Sequence, residues 1–203
     1  MKNCRLLFCL PILLVLLSFQ NDYQSTNGQI GKVIPAFSLR NIDNKIVNLV
    51  DYKNAKGFIV VFTCNHCPFA KLYTKRLNDL SKHYDSLGVY LLAINSMDTG
   101  IYEDESFALM QKRAETEGYL FPYLQDASQK TGKLFKAKHT PQAYVLWKEN
   151  NNWVIKYTGA IDDNGENPTL ANPYIAKAVD ALLKNETVSN PETETFGCRI
   201  IYR

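Results

Sequence analysis

The sequence predicts an α/β fold in which helices flank a central mixed β-sheet, with a β-hairpin as an N-terminal extension. Residues 58–62 are all β-branched or aromatic and show no polar alternation, which is typical of a central strand covered on both faces. A helical pattern and a second apolar strand follow directly, and two adjacent strands followed by a helix come later. With 203 residues, of which 46% are apolar, the chain can bury the core of a single domain.

The N-terminal part of the domain is predicted to contain a strand and a hairpin. Residues 33–39 are strand-like, and Pro35 marks an edge strand because proline cannot donate a backbone hydrogen bond. A turn at Asp43 and Asn44 leads into a further strand at residues 46–49. We therefore expect an antiparallel hairpin ahead of the central strand.

Two helices and a strand are predicted after the central strand. Apolar residues recur at three- and four-residue steps between residues 69 and 80, and Gly88 ends that helix. Residues 89–94 have the pattern of a second buried strand. A further helix is expected over residues 103–113, because acidic residues at its start and basic residues at its end suit the helix dipole.

The remaining elements are predicted in the order short strand, small helix, two paired strands and a last amphipathic helix. They cover residues 121–124, 128–135, 142–147, 153–158 and 173–183. Asp126 suits the N-cap of the small helix, and Asn172 with Pro173 suits the start of the last one. We therefore place one domain at residues 30–184 and expect residues 185–203 to form a C-terminal tail.

The first twenty residues have the pattern of a secretory signal peptide, which we place at residues 1–20. Lys2 and Arg5 precede an uncharged run over residues 6–17, which is too short for a bilayer span of about 20 residues. We expect cleavage near residues 18–23 and export to the periplasm or the extracellular side. The alternative is an uncleaved anchor, the one case in which the chain would contact a membrane.

The charge of the chain argues against nucleic acid as a partner. The formal net charge is +3, and Lys2 and Arg5 contribute two of these positive charges. The body is therefore near neutral, and it has no cluster of Lys and Arg that could hold a phosphate backbone.

Cysteine usage indicates a reactive pair rather than a structural disulfide framework. Removal of the signal segment would leave three cysteines, Cys64, Cys67 and Cys198. A framework of structural disulfides normally uses more cysteines, in even number. Two of the three are separated by only two residues, which is the spacing of a redox-active pair.

The pair lies in the run Cys64-Asn65-His66-Cys67-Pro68, between the central strand and a helix. Backbone N–H groups at a helix N-terminus favour negative charge, so we expect a lowered pKa and the nucleophilic role at Cys64. Cys67 would lie one turn into the helix and act as the resolving thiol. Pro68 is tolerated in the first turn because an N–H there would have no helical partner.

His66 stands directly before Cys67 and is the third candidate at this site. Its imidazole would stabilise a Cys64 thiolate, and a stabilised reduced form makes a disulfide more oxidising than that of a reductant thioredoxin. The alternative is an exposed turn residue without an electrostatic role. No cofactor is expected. A site for Cu(I) or zinc, built from both cysteines and either His66 or His139, is the main alternative to redox chemistry.

The chain resembles the thioredoxin-like superfamily over residues 30–184, and within it the redoxin branch of AhpC/TSA-type, peroxiredoxin-like proteins. The resemblance rests on residues 31–37, on residues 60–68 and on the pair Thr140-Pro141. It extends to a peroxiredoxin-like group that carries C-N-H-C-P and a Gly-Cys pair near its end, which here is Gly197-Cys198.

This resemblance adds Thr140 and Pro141 to the candidate site. It implies that Pro141 is cis and faces the active-site cysteines, and that Thr140 offers its backbone to an extended substrate. The alternative is an ordinary trans proline in a turn before a strand.

The sequence departs from the peroxiredoxin and thioredoxin patterns near the pair. Val60 and Cys64 stand where peroxiredoxins carry a proline and a threonine, so the threonine that orients peroxide is missing. Phe58 replaces the buried acid of many thioredoxins. His139, two residues before Pro141, is a candidate to replace that acid, and a partly exposed loop residue is the alternative.

Cys198 has three possible roles on sequence grounds. It could resolve a disulfide within the chain, pair with another chain, or remain an inert buried thiol at a docked tail.

Three functions are consistent with these residues. The first is an extracytoplasmic thiol-disulfide oxidoreductase that uses Cys64 and Cys67, with protein thiols, protein disulfides or a redox partner protein as its partners. The second is a peroxiredoxin-like thiol peroxidase of weak activity. The third is a non-enzymatic copper- or zinc-binding chaperone module.

Overall fold

The computed structural model describes residues 28–203, so the predicted signal segment lies outside the described residues. The strands are β1 (Val33–Ile34), β2 (Ser38–Asn41), β3 (Ile46–Asn48), β4 (Gly57–Phe62), β5 (Val89–Asn95), β6 (Tyr123–Gln125), β7 (His139–Thr140), β8 (Gln142–Glu149), β9 (Asn152–Gly159) and β10 (Cys198–Arg199). The α-helices are α1 (Pro68–Lys71), α2 (Thr74–Asp85), α3 (Phe107–Thr116), α4 (Lys130–Phe135) and α5 (Tyr174–Leu183), and two 3-10 turns cover Leu49–Asp51 and Glu103–Glu105. No helix within residues 28–203 is both long and apolar enough to cross a membrane.

Eight strands form one mixed sheet in the order β1-β9-β8-β4-β5-β6-β2-β3. β4 lies near its centre, parallel to β5 and antiparallel to β8. β5 is parallel to β6, whereas β8 and β9 form an antiparallel hairpin. The predicted α/β class with a central mixed sheet is therefore confirmed.

The central strand β4 separates two hydrophobic cores, and all six of its residues are buried. Phe58, Val60 and Phe62 point to one face, where they pack in a cluster with aromatic residues of α4 and β8. Ile59 and Val61 point to the other face and pack against the apolar sides of α2 and α5. Apolar residues on both faces of one strand explain why the run shows no polar alternation.

The strand predicted at residues 33–39 is divided in the structure. β1 pairs with β9 at one edge of the sheet, whereas β2 pairs with β3 and β6 at the opposite edge. Pro35 lies in the segment between β1 and β2, where the missing N–H removes no ladder hydrogen bond. The predicted hairpin is present as β2 and β3, but the preceding strand belongs to the other side of the sheet.

Two predicted helices are shorter than the sequence pattern suggested. The helix after the cysteine pair is interrupted at Leu72 and Tyr73, which separate α1 from α2. Tyr73 is fully buried and its hydroxyl donates to Asp162 over 2.9 Å. This tertiary contact stabilises the interruption between α1 and α2. The acidic triplet Glu103–Glu105 forms a 3-10 turn, and α3 begins only at Phe107.

Candidate active site

The two cysteines of the pair meet at Thr140. Both lie in the loop between β4 and α1, and the cis peptide bond Thr140-Pro141 lies opposite them between β7 and β8. Cys64 Sγ is 3.0 Å from Thr140 Oγ1, and Cys67 Sγ is 3.1 Å from the Thr140 carbonyl oxygen. Both thiols are free and almost fully buried, with 1% of Cys64 and none of Cys67 exposed. The structure therefore brings Cys64, Cys67, Thr140 and Pro141 together, as the sequence predicted.

The helix begins later than expected, which changes the environment of each thiol. Cys67 is the N-cap of α1, and Cys64 lies a turn ahead of the helix. The Ala70 N–H in the first turn therefore acts on Cys67 rather than on Cys64, and it contributes to lowering the pKa of Cys67. Cys67 does not lie one turn inside the helix, contrary to the prediction.

The pKa order of the pair is the reverse of the prediction. A hydrogen bond from the Cys64 thiol, followed by donors on Cys198 and Ala70, lowers the pKa of Cys67 to about 4, against the opposing effect of burial. The hydrogen bond to Cys67, burial and the charge of Glu105 raise the pKa of Cys64 well above its ordinary value. The Thr140 carbonyl accepts from the Cys67 thiol and so favours its protonated form. The groups that favour the thiolate are more numerous, and their combined effect on the pKa of Cys67 is larger. The hydrogen bonds and burial around the pair therefore favour the thiolate at Cys67 rather than at Cys64, where it was expected on sequence grounds.

Glu105 is the main site residue that the sequence did not predict. Its side chain is completely buried, and its carboxylate accepts hydrogen bonds from the backbone N–H groups of Asn65, at 2.8 and 3.0 Å, and His66, at 2.9 Å. Asn95, at the end of β5, donates its side-chain amide over 2.6 Å. Because β4 and β5 are parallel and end at the same edge, the loops that follow them are neighbours. The acidic triplet indicated a solvated helix start, and no local signal showed that one of its three carboxylates is buried.

His66 is held by Glu105 rather than by solvent. Its Nδ1 lies 2.6 Å from the Glu105 carboxylate, and its ring stacks on Tyr102 with centroids 4.5 Å apart. The His66 side chain is only 23% exposed, so it is not the exposed turn residue that was the alternative on sequence grounds. An imidazolium paired to a carboxylate has its charge compensated, which weakens the thiolate-stabilising role predicted for His66.

The side chain of Asn65 fixes the loop from the opposite side. Its Oδ1 accepts from the Tyr123 hydroxyl over 2.9 Å, and its Nδ2 donates to the Asp104 carbonyl over 2.7 Å. The Arg113 guanidinium donates to its backbone carbonyl. These contacts and those of Glu105 leave the loop between the two cysteines little conformational freedom.

The residues of the metal-binding alternative are only partly brought together. His139 donates or accepts at Thr195 Oγ1 over 2.8 Å, and burial with the nearby charges of Lys138 and Arg199 lowers its pKa. Within the described chain its hydrogen bonds do not reach either cysteine, so it does not replace the missing acid near the pair. Donor atoms of Cys64, His66 and Glu105 do lie within 4.8 Å of one another. Both oxygens of the Glu105 carboxylate already accept hydrogen bonds from backbone N–H groups. The cluster therefore serves to fix the loop between Cys64 and Cys67.

Cys198 lies beside the pair. β10 pairs with β7 in antiparallel register, which sets Cys198 opposite Thr140. Its thiol and its backbone lie near the Cys67 sulfur and contribute to lowering the pKa of Cys67. The end of the predicted tail is therefore docked at the site, and the strand position beside Thr140 is occupied by the chain itself.

Comparison with known proteins places the chain among redox proteins. The model of the AhpC/TSA family matches residues 30–165. Thiol-disulfide oxidoreductase ResA of Bacillus thuringiensis (strain Al Hakam) is 26% identical over 156 residues, which cover 73% of this chain and 86% of that protein. A crystal structure of an uncharacterized conserved protein from Geobacillus kaustophilus is 36% identical with a TM-score of 0.76, covering 86% of this chain and 92% of that one. A hypothetical protein from Sinorhizobium meliloti 1021 is 28% identical with a TM-score of 0.78, covering 86% and 94%.

These similarities confirm the predicted fold and class of activity. Thioredoxin-like proteins of known structure share the architecture at 18% and 19% identity, which supports the thioredoxin-like fold. The family match and the ResA relatives confirm an oxidoreductase enzyme of the thioredoxin-like redoxin branch. Because the family model spans residues 30–165, including the cysteine pair and Thr140-Pro141, the chain belongs to the AhpC/TSA family.

Proposed function

We propose that this protein is an extracytoplasmic thiol-disulfide oxidoreductase that uses Cys64 and Cys67 as its redox-active pair. The observation that carries the proposal is the convergence of both sulfurs on Thr140, at 3.0 and 3.1 Å, in a loop held by Glu105 and Asn65. The ResA relatives, which are named as thiol-disulfide oxidoreductases, support the same chemistry.

The different protonation of the two cysteines supports a different role for each: Cys67 as the nucleophile and Cys64 as the resolving thiol. In the reduced protein Cys67 carries the thiolate and Cys64 donates its S–H to it. The Cys67 thiolate attacks one sulfur of a substrate disulfide, and the other substrate sulfur leaves as a thiolate that takes a proton. Cys64 then loses its proton and attacks Cys67 Sγ, which releases the second substrate thiol and leaves the Cys64–Cys67 disulfide. The substrate gains two electrons and two protons. The protein pair supplies both electrons and the Cys64 proton, and solvent supplies the second proton.

The surface beside the pair suits a protein substrate. Phe69 and Leu72, on and directly after α1, are 44% and 43% exposed although both are large and apolar. Phe196 of the tail packs edge to face on Phe69 with ring centroids 5.8 Å apart. Apolar side chains exposed together around a reactive centre are typical of a docking surface for another protein.

Export is proposed from the first twenty residues and from the use of cysteine. The run after Lys2 and Arg5 has the length and order of a signal peptide. Disulfides form and persist most readily in an oxidising compartment. A processed N-terminus near residues 18–23, together with recovery outside the cytoplasm, is the expected result, whereas retention of an unprocessed chain in the cytoplasm would contradict it.

The redox proposal is tested by equilibrating the protein with glutathione buffers and mapping its disulfides. We expect a Cys64–Cys67 disulfide, and a reduction potential above that of a reductant thioredoxin because the Cys67 thiolate is stabilised. Cys64→Ser and Cys67→Ser should each abolish turnover of a protein disulfide, whereas Ser189→Ala, an exposed change in the tail, should leave it unchanged. Turnover that survives the loss of Cys67 would remove the pair from the mechanism.

A thiol peroxidase is the second candidate, and the AhpC/TSA family match favours it. In this structure the position of the peroxide-orienting threonine holds Cys64, and the nearest hydroxyl is that of Thr140. Peroxide consumption with a thiol donor discriminates the two functions. If peroxide is consumed faster than disulfides are exchanged, and if this consumption is lost in Cys67→Ser, then the protein is better described as a thiol peroxidase.

A further inference from the structure

The C-terminal strand β10 is built to lie against Thr140. Gly197 has a φ of 125°. A Cβ at this position would lie 2.1 Å from the Thr140 carbonyl oxygen, so only glycine permits the approach. The next residue, Cys198, is then paired with Thr140, the residue whose oxygens contact both sulfurs of the pair. The tail therefore delivers a third cysteine to the same position.

Cys198 contacts Cys67 directly. Its thiol and its backbone lie close enough to the Cys67 sulfur to lower the pKa of Cys67, and its carbonyl accepts from the Thr140 hydroxyl over 3.4 Å. Burial and the neighbouring Cys67 sulfur raise the pKa of Cys198 to about 12, which keeps it protonated as a donor in the reduced protein. That effect of Cys67 ends once Cys67 is part of a disulfide and carries no charge.

Access to the three sulfurs differs. Cys64 and Cys67 are almost fully buried, so a protein disulfide must displace part of the surrounding chain before Cys67 can attack it. Cys198 is only partly buried. Cys198, the most exposed of the three cysteines, therefore also lies beside the Cys67 thiolate.

We propose that Cys198 is a third redox-active thiol, which moves the disulfide from the buried pair to the protein surface. In this step Cys198, once deprotonated, attacks Cys67 Sγ of the Cys64–Cys67 disulfide. A Cys67–Cys198 bond forms, the Cys64–Cys67 bond breaks, and Cys64 leaves as a thiolate that takes up the proton. The exchange is redox-neutral within the chain, and a partner dithiol then reduces the Cys67–Cys198 disulfide. The proposal rests on the proposed function, and it adds the route by which the buried pair exchanges its disulfide with a partner protein.

The test uses a variant in which only Cys67 and Cys198 can react. Cys64→Ser keeps a hydrogen-bond donor beside Cys67, and oxidised glutathione is added to the reduced variant. The Cys67 thiolate should first form a mixed disulfide with glutathione, with release of one reduced glutathione. Cys198 should then displace the second glutathione and leave a Cys67–Cys198 disulfide in a monomeric protein, visible by mass spectrometry of intact chains and of peptides.

A double variant supplies the matched control. In Cys64→Ser with Cys198→Ser, the mixed disulfide can be resolved only by free glutathione. With free glutathione at about 0.1 mM and an effective thiol concentration in the millimolar range for a tethered group, resolution in the single variant should be about tenfold faster. Equal rates in the two variants would overturn the proposal.

A complementary variant tests the geometry. In Cys67→Ser only Cys64 and Cys198 remain, and because Cys198 acts on Cys67 rather than on Cys64, their mixed disulfides with glutathione should persist. A Cys64–Cys198 disulfide forming there as fast as Cys67–Cys198 forms in Cys64→Ser would contradict the assigned contact. Gly197→Ala should also slow formation of the Cys67–Cys198 bond, because the added Cβ displaces β10, whereas Arg199→Lys on the same strand should not.

The wild-type protein separates failure of this inference from failure of the proposed function. A Cys64–Cys67 disulfide that turns over at the same rate with and without Cys198 would leave the oxidoreductase intact and remove the third thiol. The absence of any Cys64–Cys67 disulfide in glutathione buffers would remove the proposed function itself.

Discussion

Replacement of Glu105 by glutamine tests how the buried carboxylate shapes the active site. The change removes one negative charge and keeps the size of the side chain. Glu105 accepts from two backbone N–H groups, from the His66 ring and from Asn95, at distances between 2.6 and 3.0 Å. A glutamine presents one NH₂ group in place of an acceptor oxygen, so at least one of these donors loses its partner.

Two magnitudes follow from this geometry. A buried donor left without a partner costs about 1–3 kcal/mol, so we expect Glu105→Gln to lower the free energy of unfolding by about 3 kcal/mol once the weakened charge-assisted bonds are included. The Glu105 oxygen lies within 4.8 Å of Cys64 Sγ, and two unit charges at that distance repel by about 3 kcal/mol at an effective dielectric constant of about 20. Removing the charge should therefore lower the pKa of Cys64.

The assay compares Glu105→Gln with Glu103→Gln, which removes an exposed carboxylate from the same 3-10 turn. Denaturant unfolding of the reduced proteins gives the stability difference, and alkylation of each cysteine as a function of pH gives the thiol titration. We expect Cys64 to be alkylated at lower pH in Glu105→Gln and to be unchanged in Glu103→Gln. Indistinguishable stability and titration in the two variants would refute the role assigned to Glu105.

Two further predictions concern the thiols and Thr140. The pKa of Cys67 is lowered from 9.0 to about 4 in the folded protein. The Cys67 thiolate should therefore contribute fully to the stability of the reduced protein above pH 9, and this contribution should be lost as the pH falls through about 4. The ultraviolet absorbance of the thiolate should also be lost as the pH falls through about 4. A thiolate signal that disappears at pH 8, or that survives in Cys67→Ser, would contradict this assignment. Thr140→Val removes the hydroxyl at 3.0 Å from Cys64 Sγ, so it should destabilise the protein by about 1 kcal/mol and raise the pKa of Cys64 further. Its mixed disulfide at Cys67 should then be resolved more slowly by Cys64 than in wild type, and unchanged kinetics of resolution would show that this hydrogen bond has no role.

The sequence predicted those features that depend on neighbouring residues. The unbroken apolar run in β4 indicated a strand with a core on each face, and that strand is the centre of the sheet. The position of Cys64 and Cys67 between a strand and a helix was predicted from the same local pattern. The exact start of α1 was not, and a shift of the N-cap to Cys67 was enough to move the helical N–H donor from one thiol to the other.

Features formed by distant segments escaped the prediction. Glu105 resembles its two acidic neighbours in sequence, but it is buried because β4 and β5 end side by side and carry their loops together. Residues 185–203 were predicted to form a C-terminal tail, with docking as one of several possibilities for Cys198, and only the structure shows that β10 docks on β7, some sixty residues earlier in the chain. Residues 33–39 resembled one strand, and only the pairing partners showed that β1 and β2 belong to opposite edges.

The sequence by itself determined the α/β class, the central strand and the spacing of the reactive cysteines, because these depend on periodicity and on local chemistry. The place of Pro141 opposite the pair was expected only from the resemblance to the thioredoxin-like superfamily. The tertiary structure decided which thiol carries the charge, which carboxylate anchors the loop, and where the third cysteine lies. Each of those properties depends on a contact between segments far apart in the chain: Glu105 with Asn65 and His66, and Cys198 with Cys67. A sulfur's pKa and its reachable partners are set by the groups packed around it, and packing exists only once the chain has folded.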